Sequence, residues 1–526
     1  MPPQGNPAPR AADLATLWKW VAAGAPEPVA PTRRFKSLVD VLESVKKHLD
    51  GTPPEHRPWQ RYFTLHTRFS HPQTTAEDLR LERAALSKAL NSLHWKPRIT
   101  LPKPLDVDDT VFAVDLRDLG WDDDDLWQEV MAAYPYGLAY RNARDEKLAK
   151  LDEFVRHETG CNVPLVRADW FVATATRPPL YHALLFDNHL PALKQRRIDP
   201  ASAAKGNPKK MTRIDLEDYL QVRFAANFQS PQPDRIAYAG FARSGVSGQN
   251  RHLARLEATF GAYWLSNDFK PGSPRSNLAL FPNGPRNLFP AKQHPHDETA
   301  FQQDGGEAIF NLPCGLQGYL LIDGQGNRID EGPIEVVSDA LKTSGTPAIV
   351  NGVSCMSCHK LGMIDFTDTV RDHSALFGEP LRQVQRLYPP ADVWERLAKQ
   401  DRQRFVLALS NAMGRFLVPA GNPANAAADT QFLKAVTETI EPVGEVSRRY
   451  RLGFVDLATA ASELDFEKTD QFTQAVGARR FKELGIEVLT QPNGVISRLD
   501  WETGGTRTEQ SLMQKVAAEL GFTPVK

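Results

Sequence analysis

Four cysteines are spread over 526 residues, at Cys161, Cys314, Cys355 and Cys358. The last two stand in Cys355-Met356-Ser357-Cys358-His359, a C-x-x-C-H pentapeptide, which is the attachment pattern of c-type haem. The chemistry sets that spacing. Two thiols must reach the two vinyl groups along one side of a porphyrin, so they lie about one helical turn apart. The imidazole that follows projects under the same ring as the proximal iron ligand. One covalently attached haem c is therefore the expected cofactor, with Cys355 and Cys358 as anchors and His359 on the iron. A zinc site needs two further ligands, and the chain holds no second C-x-x-C. A thioredoxin-like redox pair needs a βαβ setting and makes no use of the histidine.

A low-spin electron carrier requires a second axial ligand, whereas an enzyme or gas sensor leaves that position open. Three residues are distal candidates. Met413 follows His359 by 54 residues in FVLALSNAMGRFLVP, where Val406, Leu407, Leu409, Met413 and Phe416 recur at helical spacing and also suit a plain core position. His373 follows His359 by 14 residues and suits either a fold over the ring or a helix surface. His182, in RPPLYHALLF, has apolar and aromatic flanks, as a distal histidine or a satisfied core histidine would. Met363 lies four residues after His359, which keeps it on the proximal side. Arg167, Trp170 and His182 share one stretch that offers polar groups for bound peroxide or dioxygen.

The elements that must position this motif follow from local signals. Gly345, Pro347, Asn351 and Gly352 make the approach to Cys355 a loop, and Gly362 limits any helix there to about two turns. In AIFNLPCGLQGYLLIDGQGNRID, apolar segments flank Asp323 to Asn327, which reads as a β-hairpin turn leading to the haem segment. Periodicity predicts helices over 35–49, 79–94, 393–413, 430–440, 452–464 and 508–520. Strands are expected in 98–121, and a short strand pair near 494–501. The acidic run Asp122 to Asp125 opens a helix at Leu126. Residues 167–185 read as a strand or loop entering a helix at the proline pair, and 243–264 as a turn and then a helix. Residues 265–306 read as a long loop in which His294 and His296 are either solvated or metal ligands. The expected class is α+β, predominantly helical with short strands and long loops, with one embedded haem c-binding segment. Its parts are 1–30, a closing helix and linker; 31–340, a mixed α/β region; 341–430, the haem c-binding region; and 431–526, a C-terminal helical region.

The 63 Lys+Arg balance 64 Asp+Glu for a net charge of -1, which lacks the basic footprint of a nucleic-acid binder. No run of about 18 apolar residues occurs, so no membrane span is expected. The N-terminus has no basic segment followed by an apolar one, so it is no signal peptide. Haem c is attached outside the cytoplasm. A periplasmic or otherwise extracytoplasmic address is thus expected, with the signal peptide already removed or outside a fragment. Disulfides persist there, so Cys161 and Cys314 either bridge or stand as two buried thiols.

Residues 12–28, ADLATLWKWVAAGAPEP, resemble the closing helix of planctomycete-type cytochrome c domains, with Trp20, Gly24, Ala25 and Pro26 matching. That resemblance implies a further cytochrome c domain upstream. RADWFVATATRPPLYH, IFNLPCGLQGYLLIDGQGNRIDEGP and NGVSCMSCHKLGM are similar to large bacterial c-type cytochrome proteins. The likeness implies haem c and an extracytoplasmic address but no particular reaction. It also implies an asparagine at the position of Cys314, which makes a Cys161–Cys314 bridge a local feature or absent. The expected function is electron transfer by an extracytoplasmic monohaem c-type cytochrome, to a redox partner protein or an upstream cytochrome c domain. A simple carrier needs only about 100 residues. The excess keeps two alternatives: a haem-dependent oxidoreductase, peroxidase or oxygenase-like, with an open distal site, and a haem-stapled binding or scaffold protein.

Overall fold

The computed structural model describes Trp18, Val21 and residues 33–526 apart from 123, 142–144, 192, 195–210, 243–246, 340, 341, 343, 418–435, 438, 439, 504–509 and 526. Helix α1 (Leu38–Asp50) begins at a capping box in which Ser37 and Asp40 satisfy each other's backbone N–H. Strands β1 (Gln60–Thr64), β2 (Lys103–Pro104), β3 (Val111–Asp115) and β4 (Leu165–Arg167) form a sheet of order β2-β3-β1-β4, with β1 antiparallel to β3 and parallel to β4. Side chains alternate across a strand, and this sheet uses both faces. Tyr62, Val111 and Ala113 meet α1 and the helix α3 (Glu146–Thr159). Phe63, Phe112 and Val114 face the main core, against helices α2 (Ala76–Asn91) and α4 (Ala168–Ala175).

Strands β5 (Ile236–Phe241), β6 (Arg251–Ala258), β7 (Gly261–Asp268), β8 (Gly305–Asn311) and β9 (Gln317–Asp323) form an antiparallel meander of order β9-β8-β7-β6-β5. Residues 251–264 were expected as a helix after a turn; they are instead the β6–β7 hairpin, with Leu253 opposite Ser266 and Leu256 opposite Tyr263. The reason is burial on both faces. His252 through Leu256 are all buried, so the period of two that marks a half-exposed strand is absent. A longer hairpin precedes the expected turn. β8 and β9 pair around Leu312–Leu316. The expected Asp323–Asn327 turn is present, with Asp323 Oδ1 accepting from the N–H groups of Gln325 and Asn327 at 2.9 Å each, and it closes a short antiparallel pair through the bridge Ile322↔Arg328 and the Ile329 N–H, which donates to the Leu321 carbonyl at 3.0 Å.

The short pair β10 (Glu331–Gly332) and β11 (Ile349–Val350) then leads into α5 (Val353–Cys358). Two long elements follow, α6 (Ala391–Leu417) and α7 (Pro442–Arg451). Helix α2 packs on α6 and α7, and α7 packs on α4 and α5. One apolar core runs from Phe63 to Ala517, so the C-x-x-C-H segment shares its core with the regions on either side. Helix accounts for 46% and strand for 15%, a mixed α/β chain with several small sheets in which helix predominates.

The helices expected over 35–49, 79–94 and 393–413 are present as α1, α2 and α6. In the 167–185 stretch Arg167 ends strand β4, residues 168–175 are helical, and a helix begins again at Leu180, directly after the proline pair, as expected. Of the 265–306 segment expected as a loop, residues 265–268 end β7 and 305–306 open β8, and short helical turns lie between them at Arg286–Leu288 and Asp297–Thr299. The N-terminal closing helix and most of 430–440 lie outside the described residues.

Candidate functional site

The C-x-x-C-H segment forms a six-residue helix, α5, and its neighbours explain why it stops and starts there. Gly352 caps it with φ +87°, and a Cβ at that position would lie 2.5 Å from the carbonyl oxygen of Thr176. Only glycine combines that backbone angle with that approach. Ser354 Oγ accepts the Val350 N–H at 3.0 Å, and the Asn351 N–H donates to the Asp330 carbonyl at 2.9 Å. Cys355 and Cys358 are three residues apart and therefore share one face of the helix. His359 is the C-cap, its N–H donating to the Cys355 carbonyl at 2.8 Å. Helix α7 forms the support beneath. A Cβ on Gly444 would collide with Ser357 Oγ, so the α7 backbone packs directly against the Ser357 side chain.

Cys355, Cys358 and His359 line one cavity of about 700 Å³. The five-stranded sheet supplies Leu253 and Leu321, the segment between β10 and β11 supplies Val336 and Val337, and Phe366 closes it after the motif. Three polar side chains from the sheet also reach the wall: Arg251, Asp268 and Glu307. Arg251 is committed to Asp268 by two hydrogen bonds, at 2.5 and 3.0 Å. Glu307 is held through its backbone, whose N–H donates to Ser266 Oγ at 3.0 Å. Its Oε1 is buried without a hydrogen-bond partner.

The electrostatics keep the motif neutral. Burial, reinforced by the Glu307 carboxylate, pushes the Cys355 thiol well above its ordinary range, and burial pushes Cys358 up to about 12. Both are free thiols. A redox-active dithiol needs at least one thiolate stabilised near neutral pH, and this pair has the opposite bias. Burial also lowers the His359 pKa, so its imidazole is neutral. His359 Nδ1 lies 3.3 Å from the Gly362 carbonyl, which makes Nδ1 the protonated nitrogen and leaves the Nε2 lone pair for a metal. Nε2 lies 3.8 Å from Glu307 Oε2.

Two thiols and a neutral imidazole converge on an apolar cavity whose volume falls within the about 300–1,000 Å³ typical of cofactor sites. The donor set therefore fits a haem c, with Cys355 and Cys358 for the vinyl carbons and His359 Nε2 for the iron. Among the described residues no group of three or more His, Cys, Asp and Glu is arranged to hold a metal ion by itself.

The other sequence candidates sit elsewhere. Met413 is 1% exposed in the core on α6. His373 is exposed, its ring nitrogen 3.0 Å from the Thr369 carbonyl. His182 is buried behind α5, where Nε2 lies 2.8 Å from Asn351 Nδ2 and Nδ1 lies 3.4 Å from Asp330. None of the three is among the residues lining the cavity, whereas Met363 is. Trp170 is buried in the core. Arg167 faces a separate cavity of about 340 Å³, where it pairs with Asp169 and Glu463, and Arg498 joins Glu463 at 2.6 Å. Cys161 Sγ lies 3.5 Å from Met131 Sδ and Cys314 Sγ 3.5 Å from the Asn91 carbonyl, and both are free thiols. His294 is buried against Phe228 and Phe289 rather than solvated.

Sequence reasoning missed Arg251, Asp268 and Glu307. For Glu307 a signal existed: it is the one charge in the strand GGEAIFN. Arg251 was hidden by the expected helix and Asp268 by the expected loop, because both lie on strands of the meander. No protein-family model matches this chain, and neither curated proteins nor solved structures show a significant similarity to it.

Proposed function

We propose that this chain is an extracytoplasmic monohaem c-type cytochrome protein that transfers electrons to a redox partner protein or a neighbouring cytochrome c domain. The observation that carries the proposal is the convergence of Cys355, Cys358 and a neutral His359 on one cavity of about 700 Å³. When bound, haem supplies a one-electron iron couple that a polypeptide lacks. Cys355 and Cys358 would hold it as two thioethers. The Gly362 carbonyl orients His359 through Nδ1 and raises the donor strength of Nε2. The apolar side chains from the sheet and from Val336 and Val337 would limit solvent around the group, which tunes its potential.

A second reading, a haem-dependent oxidoreductase with an open distal site, is supported by the polar trio Arg251, Asp268 and Glu307 on the same cavity. The test is expression of the full chain behind a secretion leader in a host with a cytochrome c maturation system. Covalent haem is read by mass and by haem staining after denaturation. The oxidised and reduced spectra are then recorded with and without carbon monoxide. Wild type should carry one haem, and Cys355→Ser with Cys358→Ser should carry none. A low-spin reduced spectrum unmoved by carbon monoxide supports electron transfer, and a shifted one supports the oxidoreductase. Wild type without covalent haem refutes both.

A further inference from the structure

We infer that Glu307 is the side chain that occupies the iron coordination position opposite His359, a conclusion that rests on the haem c proposal above. Three observations converge on it. The first is separation. His359 Nε2 and Glu307 Oε2 are 3.8 Å apart, too far for a hydrogen bond. Bonds of about 2.0–2.1 Å from an imidazole nitrogen and about 2.0–2.2 Å from a carboxylate oxygen place two opposed ligands of one first-row metal ion about 4.0–4.3 Å apart. The observed gap is close to that span.

The second observation is the state of the carboxylate. Its side chain is only 12% exposed, and its Oε1 has no partner. The nearby Arg251 is already engaged in two hydrogen bonds to Asp268. The Cys355 thiol also leans on Glu307, but a thioether carries no S–H to donate. As thioethers the cysteines would leave the carboxylate without that neighbour, and a bound ferric centre would supply a charge to meet it. A buried carboxylate needs a compensating charge, and a ferric porphyrin core carries one net positive charge.

The third observation is competition. Of the side chains proposed from the sequence as distal ligands, none lines the cavity, and Met363 is the remaining thioether there. A thioether left uncoordinated costs nothing, because sulfur is a weak acceptor at ease in an apolar wall. The carboxylate has no such freedom. As a hard ligand it also favours the ferric state.

The experiment uses the matured full chain and four variants: Glu307→Gln, Glu307→Ala, Glu307→His and Met363→Leu. Ferric and ferrous absorption and low-temperature electron paramagnetic resonance are the readouts, with circular dichroism to check folding. Glu307→His should convert the iron to a low-spin bis-imidazole form that excludes carbon monoxide. Glu307→Ala should open the position, so that imidazole binds at least tenfold more tightly than to wild type. The near-isosteric Glu307→Gln should alter the ferric spectrum without altering the fold, and Met363→Leu should leave it unmoved. If the three Glu307 variants load haem and superimpose on wild type, or if Met363→Leu alone changes the coordination, Glu307 is not the ligand. A wild type that carries no covalent haem defeats instead the haem proposal on which this inference depends.

Discussion

Helix α7 supports the C-x-x-C-H helix, and one buried ion pair fixes α7 in place. Lys88 of α2 donates to Glu441 at 2.7 Å, with the two side chains only 2% and 4% exposed. Glu441 also caps α7, accepting the Gly444 N–H at 2.6 Å. Removing one partner of such a pair strands the other charge at a cost of about 3–5 kcal/mol, whereas replacing both with apolar residues of similar volume is often neutral. The structure orders the variants within that range. After Lys88→Met, Glu441 keeps the Gly444 N–H and the neighbouring charge of Lys360, so the cost should sit near about 3 kcal/mol. After Glu441→Leu, the Lys88 ammonium loses its partner and α7 loses its cap, so the cost should reach about 5 kcal/mol or more. The double variant should lose little beyond the cap, about 1 kcal/mol. Hydrogen exchange of the α7 amides from Val446 to Tyr450 reads these values as local opening free energies, with roughly a hundredfold faster exchange expected for Lys88→Met. Equal costs for the two single variants would refute the reasoning. So would a double variant as damaged as their sum.

Gly352→Ala must place a Cβ 2.5 Å from the Thr176 carbonyl oxygen at φ +87°; a cost of about 1–3 kcal/mol is expected, seen as a lower unfolding temperature and a lower yield of attached haem. Burial lowers the pKa of His66 to about 3, His182 to about 2 and His252 to about 3. Above the unfolded value of about 6.5 both states are neutral; below it the unfolded chain takes up protons that the folded chain refuses, so stability should fall as pH drops from about 7 to about 5. A urea midpoint that stays flat over that interval, or a slope untouched by His252→Gln, would contradict this. Met413→Leu should cost under about 1.5 kcal/mol and leave the haem spectrum unchanged, because Met413 is 1% exposed within the core; a shifted Soret band would return it to the iron.

The sequence by itself determined what is local. C-x-x-C-H states a donor set at fixed spacing, and the loop glycines around it bound a short helix. Amphipathic runs such as that of α1 declare themselves because one face meets the core and the other meets water. Where both faces are buried, as in β6, periodicity vanishes and the strand was misread as helix. Tertiary structure alone decided what crosses the chain. It set His359 Nε2 against Glu307, 52 residues earlier, and separated Arg167 from the C-x-x-C-H cavity. It also placed Met413 in the core rather than on the cavity wall. No spacing rule connects such residues, because their approach is set by how a meander, α5 and α7 pack together.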